Sequence, residues 1–189
     1  VNAEDEAAAD AACRQLGWPA GQRVISFHIA GGWGGKATAK AWPLEHFVEL
    51  GRRIATSSDR PVLVLCGPNE RQAAAEVVRQ VAHPHVQSLA EVKDLPLALT
   101  KGCLARSDLL VTTDSGPRHL GTALDVPVVA LFGAANVWAW DKGPGPVKGQ
   151  FYIHPMMTYY DPPEKLGYPV HQAGPGRFRS RRNVHRPRD

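Results

Sequence analysis

Four short apolar runs constrain this chain more than any other feature of its sequence. They are RVISFHIA (23–30), RPVLVLCG (60–67), DLLVTT (108–113) and VPVVALFG (126–133), and HVQSL (85–89) reads as a shorter fifth. None of the four has the in-out alternation of a strand with one wet face, so each is expected to be buried on both sides. Between them lie stretches with helical spacing. Residues 4–16 suit a helix. In WPLEHFVELGRRIATS (42–57), Phe47, Leu50 and Ile54 fall on one face, with Pro43 in the first turn. PNERQAAAEVVRQVA (68–82) offers Asn69 as N-cap, with Gln72 three residues on as in a capping box. DLPLALTKGCLARS (94–107) reads as a helix capped by Asp94, and GPRHLGTALD (116–125) as another. Buried strands alternating with helices mean βαβ units. The expected fold is therefore α/β, a doubly wound parallel sheet covered on both faces. Strand ends are expected at Ala30, Gly67, Thr113 and Gly133 on one edge, and ligands of such sheets bind there, in the loops that leave the strands.

The chain has 189 residues, enough for one self-sustaining core. It opens on Val1 rather than methionine, as a fragment or processed product would. The acidic, alanine-rich start lacks the basic and apolar regions of a signal peptide, and no run of eighteen apolar residues reads as a membrane span. Cys13, Cys66 and Cys103 are scattered and odd in number, as free thiols in a reducing compartment would be. The formal net charge of +4 points at first to nucleic acid, but residues 1–150 hold fifteen basic and fifteen acidic residues. All of the excess lies in 151–189, where seven basic residues face three acidic ones, so a solvated basic tail is expected rather than a specific nucleic-acid surface. Eight of the sixteen prolines lie in 141–189. The division expected is a domain over 1–142 and a loosely ordered Pro/Gly/Arg-rich tail over 143–189.

Three loops at the expected ligand edge carry chemistry. IAGGWGGKATAKAWP (29–43) fails the Walker A pattern, because Ala30 and Ala37 stand where a glycine and a hydroxyl residue are needed. Gly32, Gly34 and Ala37 meet the dinucleotide spacing, yet no helix opens there, and the next strand ends without an acid for a ribose. What remains is a loop with Lys36, Thr38 and Lys40 ahead of a helix start, which suits a phosphate; a solvated surface loop is the alternative. In VTTDSGPRHL (111–120), Asp114, Ser115 and Gly116 join a strand to a helix whose first turn presents Arg118 and His119, both able to donate to anionic oxygens. Simple capping by Asp114 and Ser115 would explain the same residues. In CGPNE (66–70), Glu70 either supports the helix dipole or accepts from a sugar hydroxyl. No metal-ligand spacing is present, and no cofactor is expected.

Taken in order, KAWP, GPNE and TTDSGPRHLGTALDVPVVALFG resemble the heptosyltransferase family, family nine of the glycosyltransferases, over about residues 10–135. The resemblance implies a GT-B fold of two Rossmann-like domains, with this chain as the C-terminal, donor-binding one. It implies an enzyme moving a sugar, typically heptose, from an ADP-sugar to a lipopolysaccharide-type acceptor. It assigns Lys40 and Thr38 to the donor phosphates, Asp114, Ser115, Gly116 and His119 to the diphosphate and sugar, and Glu70 to the ribose. The general base is expected in an N-terminal domain absent from this chain, which alone would be inactive. A cytoplasmic setting, with peripheral contact at the inner membrane surface, is the further implication. The alternative is a non-catalytic nucleotide-sugar-binding or structural domain without its catalytic partner. Gly35, Lys36 and a shifted Thr38 replace the family's threonines in the first loop, and the pattern is lost beyond ALFG (130–133).

Overall fold

The computed structural model of the chain describes residues 1–29, 41–131 and, for the backbone alone, 150–153. In chain order the elements are α1 (Ala3–Gln15), β1 (Val24–His28), α2 (Leu44–Ser57), β2 (Val62–Leu65), α3 (Arg71–Val81), β3 (Val86–Ser88), α4 (Leu97–Ala105), β4 (Ser107–Thr113), α5 (Gly116–Ala123), β5 (Val128–Leu131) and β6 (Gln150–Ile153). All described strand pairs are parallel, in the order β3-β2-β1-β4-β5-β6. The order reverses between β1 and β4, which start the two halves of the sheet. A doubly wound sheet has its switch point at such a reversal, and a crevice opens there beyond the carboxyl ends of the two strands.

The apolar runs became strands because each is buried on both faces. Phe27, Val62, Val64, Leu65, Leu110, Val128 and Ala130 are all at or near zero exposure. The helices sort into two packed groups, α2 with α3 and α1 with α4 and α5. Right-handed crossovers in both directions from the switch point put these groups on opposite faces. Phe47 of α2 seats against Phe27 at 5.9 Å, and Trp42 meets Phe47 edge-on at 4.8 Å. Gly102 lets α4 approach α1 closely, since a methyl group there would land on the Asp5 carbonyl oxygen and 2.9 Å from the Ala9 Cβ.

Several boundaries differ from the sequence reading, each for a local reason. Asn69 is not the cap before α3. Pro68–Glu70 form a single 3-10 turn, and the Glu70 carboxylate accepts the Gly67 N–H at 2.5 Å, so the acidic partner of that cap is Glu70 rather than Gln72. Asp94 does not cap α4, which begins at Leu97 with Pro96 as its cap. Proline holds its predecessor away from the helical region, which delays the start. Helix α5 stops at Ala123 because Asp125 is left-handed, at φ 56°. The described sheet also includes β6, which pairs with β5 from Val128↔Gln150 to Leu131↔Ile153. The expected strand ends at Ala30 and Gly133, and the tail from 154 onward, lie outside the described residues.

Candidate functional site

Parallel register carries His28, Leu65, Thr113 and Leu131 to one edge: His28 stands beside Leu65 of β2 and Thr112 of β4, and Thr113 beside Leu131 of β5. The two strand ends at the switch point are therefore His28 and Thr112–Thr113. Directly above them runs the Asp114–Ser115 turn into α5.

His28 was not foreseen as a site residue. Its signal in the sequence was slight: a titratable side chain closing an otherwise apolar run ahead of the glycine-rich loop. It is 7% exposed, and burial pushes its pKa down to about 4, so the ring is neutral at pH 7. Its Nδ1 lies 3.1 Å from Ser115 Oγ and 3.5 Å from Thr112 Oγ1. The two hydroxyls are 3.2 Å apart, and both reach the Thr113 carbonyl, Thr112 at 3.0 Å and Ser115 at 3.2 Å. Ser115 is the N-cap of α5 with extended backbone, φ −151° and ψ 174°, yet its side chain makes no capping hydrogen bond. An N-cap serine ordinarily bonds the amides of its own helix. Here the hydroxyl faces inward, toward His28. Gly116 opens the helix on a clear side: among the described residues no heavy atom lies within 4 Å of where a Cβ would stand.

Arg118, expected to face an anion directly, is buried, with its Nε 3.3 Å from Asp114 Oδ1. Its Nη2 lies 3.1 Å from His119 Nε2. A guanidinium only donates, so Nε2 accepts and a neutral His119 carries its proton on Nδ1. Burial first, and then the Arg118 charge, lower the His119 pKa, against the pull of Asp114. His119 is thus an exposed, neutral single donor at the start of α5, backed by an ion pair.

Glu70 stands past the end of β2 on the same edge, with one carboxylate oxygen on the Gly67 amide. Lys40 and Thr38 lie outside the described residues. Just after them Trp42 is half-buried, against His46 at 5.2 Å and Phe47, and this fixes the point where that loop enters α2. So the structure brings Asp114, Ser115, Gly116 and His119 together and adds His28 and Thr112 beneath them. Among the described residues no group of three or more His, Cys, Asp or Glu side chains could hold a metal ion. Burial pushes the thiols of Cys66 and Cys103 up to about 11 and about 12, and raises that of Cys13. All three are free and buried, in keeping with packing roles.

The sequence profile of glycosyltransferase family 9 (heptosyltransferase) matches residues 2–150. The chain belongs to this family. Among curated proteins, lipopolysaccharide heptosyltransferase 2 of Salmonella typhimurium is 30% identical over 101 residues, covering 52% of this chain and 28% of the relative. Lipopolysaccharide heptosyltransferase 2 of Escherichia coli is 27% identical over 127 residues, covering 66% and 35%. The chain thus spans about a third of the length of these relatives. Among solved structures, a family 9 glycosyl transferase from Veillonella parvula superposes with a TM-score of 0.67 at 25% identity, covering 84% of this chain and 42% of the other. The E. coli heptosyltransferase WaaC with ADP superposes at 0.55 and 25% identity, covering 70% and 37%. A further similar structure holds that enzyme with ADP-2-deoxy-2-fluoro heptose. The α/β fold with helices on both faces of a parallel sheet is that of GT-B heptosyltransferases.

Proposed function

We propose that this chain binds the nucleotide-sugar donor of a heptosyltransferase reaction, an ADP-sugar with heptose as the sugar, for transfer to a lipopolysaccharide-type glycan acceptor. The observation that carries the reading is the open start of α5 at the switch point, where Gly116 leaves room for close approach and His119 offers a donor. It stands in a family 9 chain whose solved relatives include one with ADP. In this reading the diphosphate lies against the main chain of Ser115 and Gly116, with His119 and Asp114 toward the sugar. Lys40 and Thr38 approach the phosphates from the loop before α2. Glu70 serves the ribose with the part of its carboxylate directed away from Gly67. Ammonium, imidazole and helix amides neutralise the nucleoside diphosphate as it leaves, which is where charge develops when the sugar–phosphate bond breaks. The reduced, buried thiols suit a cytoplasmic setting, where ADP-sugars are at hand.

Calorimetric titration with ADP tests the donor role. Lys40→Ala removes one charge-assisted contact, worth roughly 1.5–3 kcal/mol when enclosed. Affinity should fall about tenfold or more. His119→Ala should weaken binding less, because a neutral imidazole gives a single hydrogen bond. Equal affinities for wild type and Lys40→Ala would discard the phosphate role of Lys40, and absence of ADP binding would discard the donor reading.

A further inference from the structure

The geometry points to His28 as a positioning residue: by engaging the Ser115 hydroxyl it keeps that side chain off the first turn of α5, so that the turn stays open to the donor's diphosphate. This inference rests on the donor reading above. Ser115 has two places for its hydroxyl. One is the ordinary N-cap position, on the amides of its own helix, which its extended backbone permits. The other is the inward position it occupies, 3.1 Å from His28 Nδ1, 3.2 Å from Thr112 Oγ1 and 3.2 Å from the Thr113 carbonyl. A capping hydroxyl would compete with a phosphate oxygen for the same N–H groups. His28 tips the choice inward. Its ring comes from the neighbouring strand, held by parallel register beside Thr112, so the contact ties the β4–α5 turn to the end of β1. The ring is nine-tenths buried, and breaking its contact with Ser115 leaves a polar nitrogen without that partner, which penalises the capped arrangement. His28 touches neither phosphate nor sugar in this account; it acts through Ser115.

The test uses the 189-residue chain in four single variants and one double, each titrated with ADP and separately with inorganic pyrophosphate, and each melted to check folding. His28→Asn keeps a polar atom where Nδ1 stands, whereas His28→Gln places it at the far side of the ring, where Nε2 stands, and His28→Leu has none. The expected result is a roughly five- to tenfold loss of affinity in His28→Leu and His28→Gln and a change of at most about twofold in His28→Asn. The deciding comparison is with Ser115→Ala. Whatever that variant itself does to affinity, adding His28→Leu to it should change affinity by less than about twofold, because no hydroxyl is left to move. Equal losses in both backgrounds would overturn the inference, since a merely structural histidine acts regardless of Ser115. So would wild-type affinity in His28→Leu. If His28→Leu does not fold, the Asn and Gln variants decide, and equal affinities for the two overturn the inference. If the wild type binds pyrophosphate but not ADP, the nucleotide reading falls while the His28 comparison is made on pyrophosphate. If it binds neither, both fall.

Discussion

Acid should destabilise this fold through His28 before its carboxylates titrate. The ring is 7% exposed and its pKa is depressed from 6.5 to about 4 by burial. The folded value lies below the unfolded one. Its stabilising contribution is therefore complete above the unfolded value and is lost as pH falls toward the folded value, because the unfolded chain takes up a proton that the native state refuses. The gap of about 2.5 units corresponds to a ceiling of about 3 kcal/mol, of which about 2 kcal/mol should already be lost by about pH 5. The carboxyls with lowered values, among them Asp5, Asp10, Glu49 and Glu76, titrate below their ordinary values of 3.8 or 4.5, so they contribute little in that window. His119, also depressed, adds a slope of the same sign. The measurement is therefore a difference. Urea unfolding free energies of wild type and His28→Asn are compared from about pH 7.5 to about pH 5, and the wild type should lose about 2 kcal/mol more than the variant. Parallel curves would refute the reasoning, as would a His28 ring resonance titrating near the unfolded value of 6.5.

Three further substitutions probe the packing and the site. Gly102→Ala puts a methyl on the Asp5 carbonyl and against Ala9, so it should destabilise by about 2 kcal/mol or more despite the better helix propensity of alanine, and an unchanged Tm would contradict the close α1–α4 contact. Gly116→Ala meets no atom of the described residues, so Tm should hold within a degree or two; in the proposed donor reading the methyl stands where the diphosphate approaches, and ADP affinity should fall about fivefold; unchanged affinity would move the ligand off α5. Lys101→Met removes the 2.7 Å partner of the buried Asp5, whose carboxyl is held low first by that contact, against burial, and then by the Asn2 amide. Tm should fall at pH 7, and the gap from wild type should narrow as pH drops through 3.8, where the contribution of a depressed carboxyl is lost.

The fold was legible because double-sided burial leaves a coarse mark. A strand such as Val62–Leu65, covered on both faces, has to be apolar at every position, and a run of that kind between amphipathic helices has few folds open to it. The caps were harder to read because several local patterns fit the same residues. Asn69 and Gln72 have the spacing of a capping box, yet Pro68 starts a 3-10 turn and Glu70 reaches Gly67 first. The strand at Gln150–Ile153 was hidden for a different reason. A short strand beside β5 has too few residues to show a period, and it stands between the Gly- and Pro-rich DKGPGPVKG (141–149) and Pro155, which mask it in the sequence.

The site divides along the same line. Asp114, Ser115, Gly116 and His119 lie within six residues, so their spacing marked the start of a helix, which the structure places at Gly116. What the spacing did not announce is which side chains of that turn are buried and which are exposed. Arg118 has the more obvious chemistry for a phosphate, but it is buried against Asp114 within the first turn, and it acts on His119 by fixing the tautomer. His28 is 87 residues away from Ser115 in the chain, and only the parallel pairing of β1 with β4 brings them within 3.1 Å. A contact of that kind has no local pattern. It becomes predictable only once the strand order is known, because in a doubly wound sheet the last residues of the two strands at the switch point must be neighbours. The residue that closes β1 is therefore set beside the turn after β4 by topology, and its chemistry decides how that turn presents itself. An apolar residue at position 28 would leave Ser115 free to cap its own helix. A histidine kept neutral by burial gives the hydroxyl a partner without placing a second buried charge next to the Asp114–Arg118 pair.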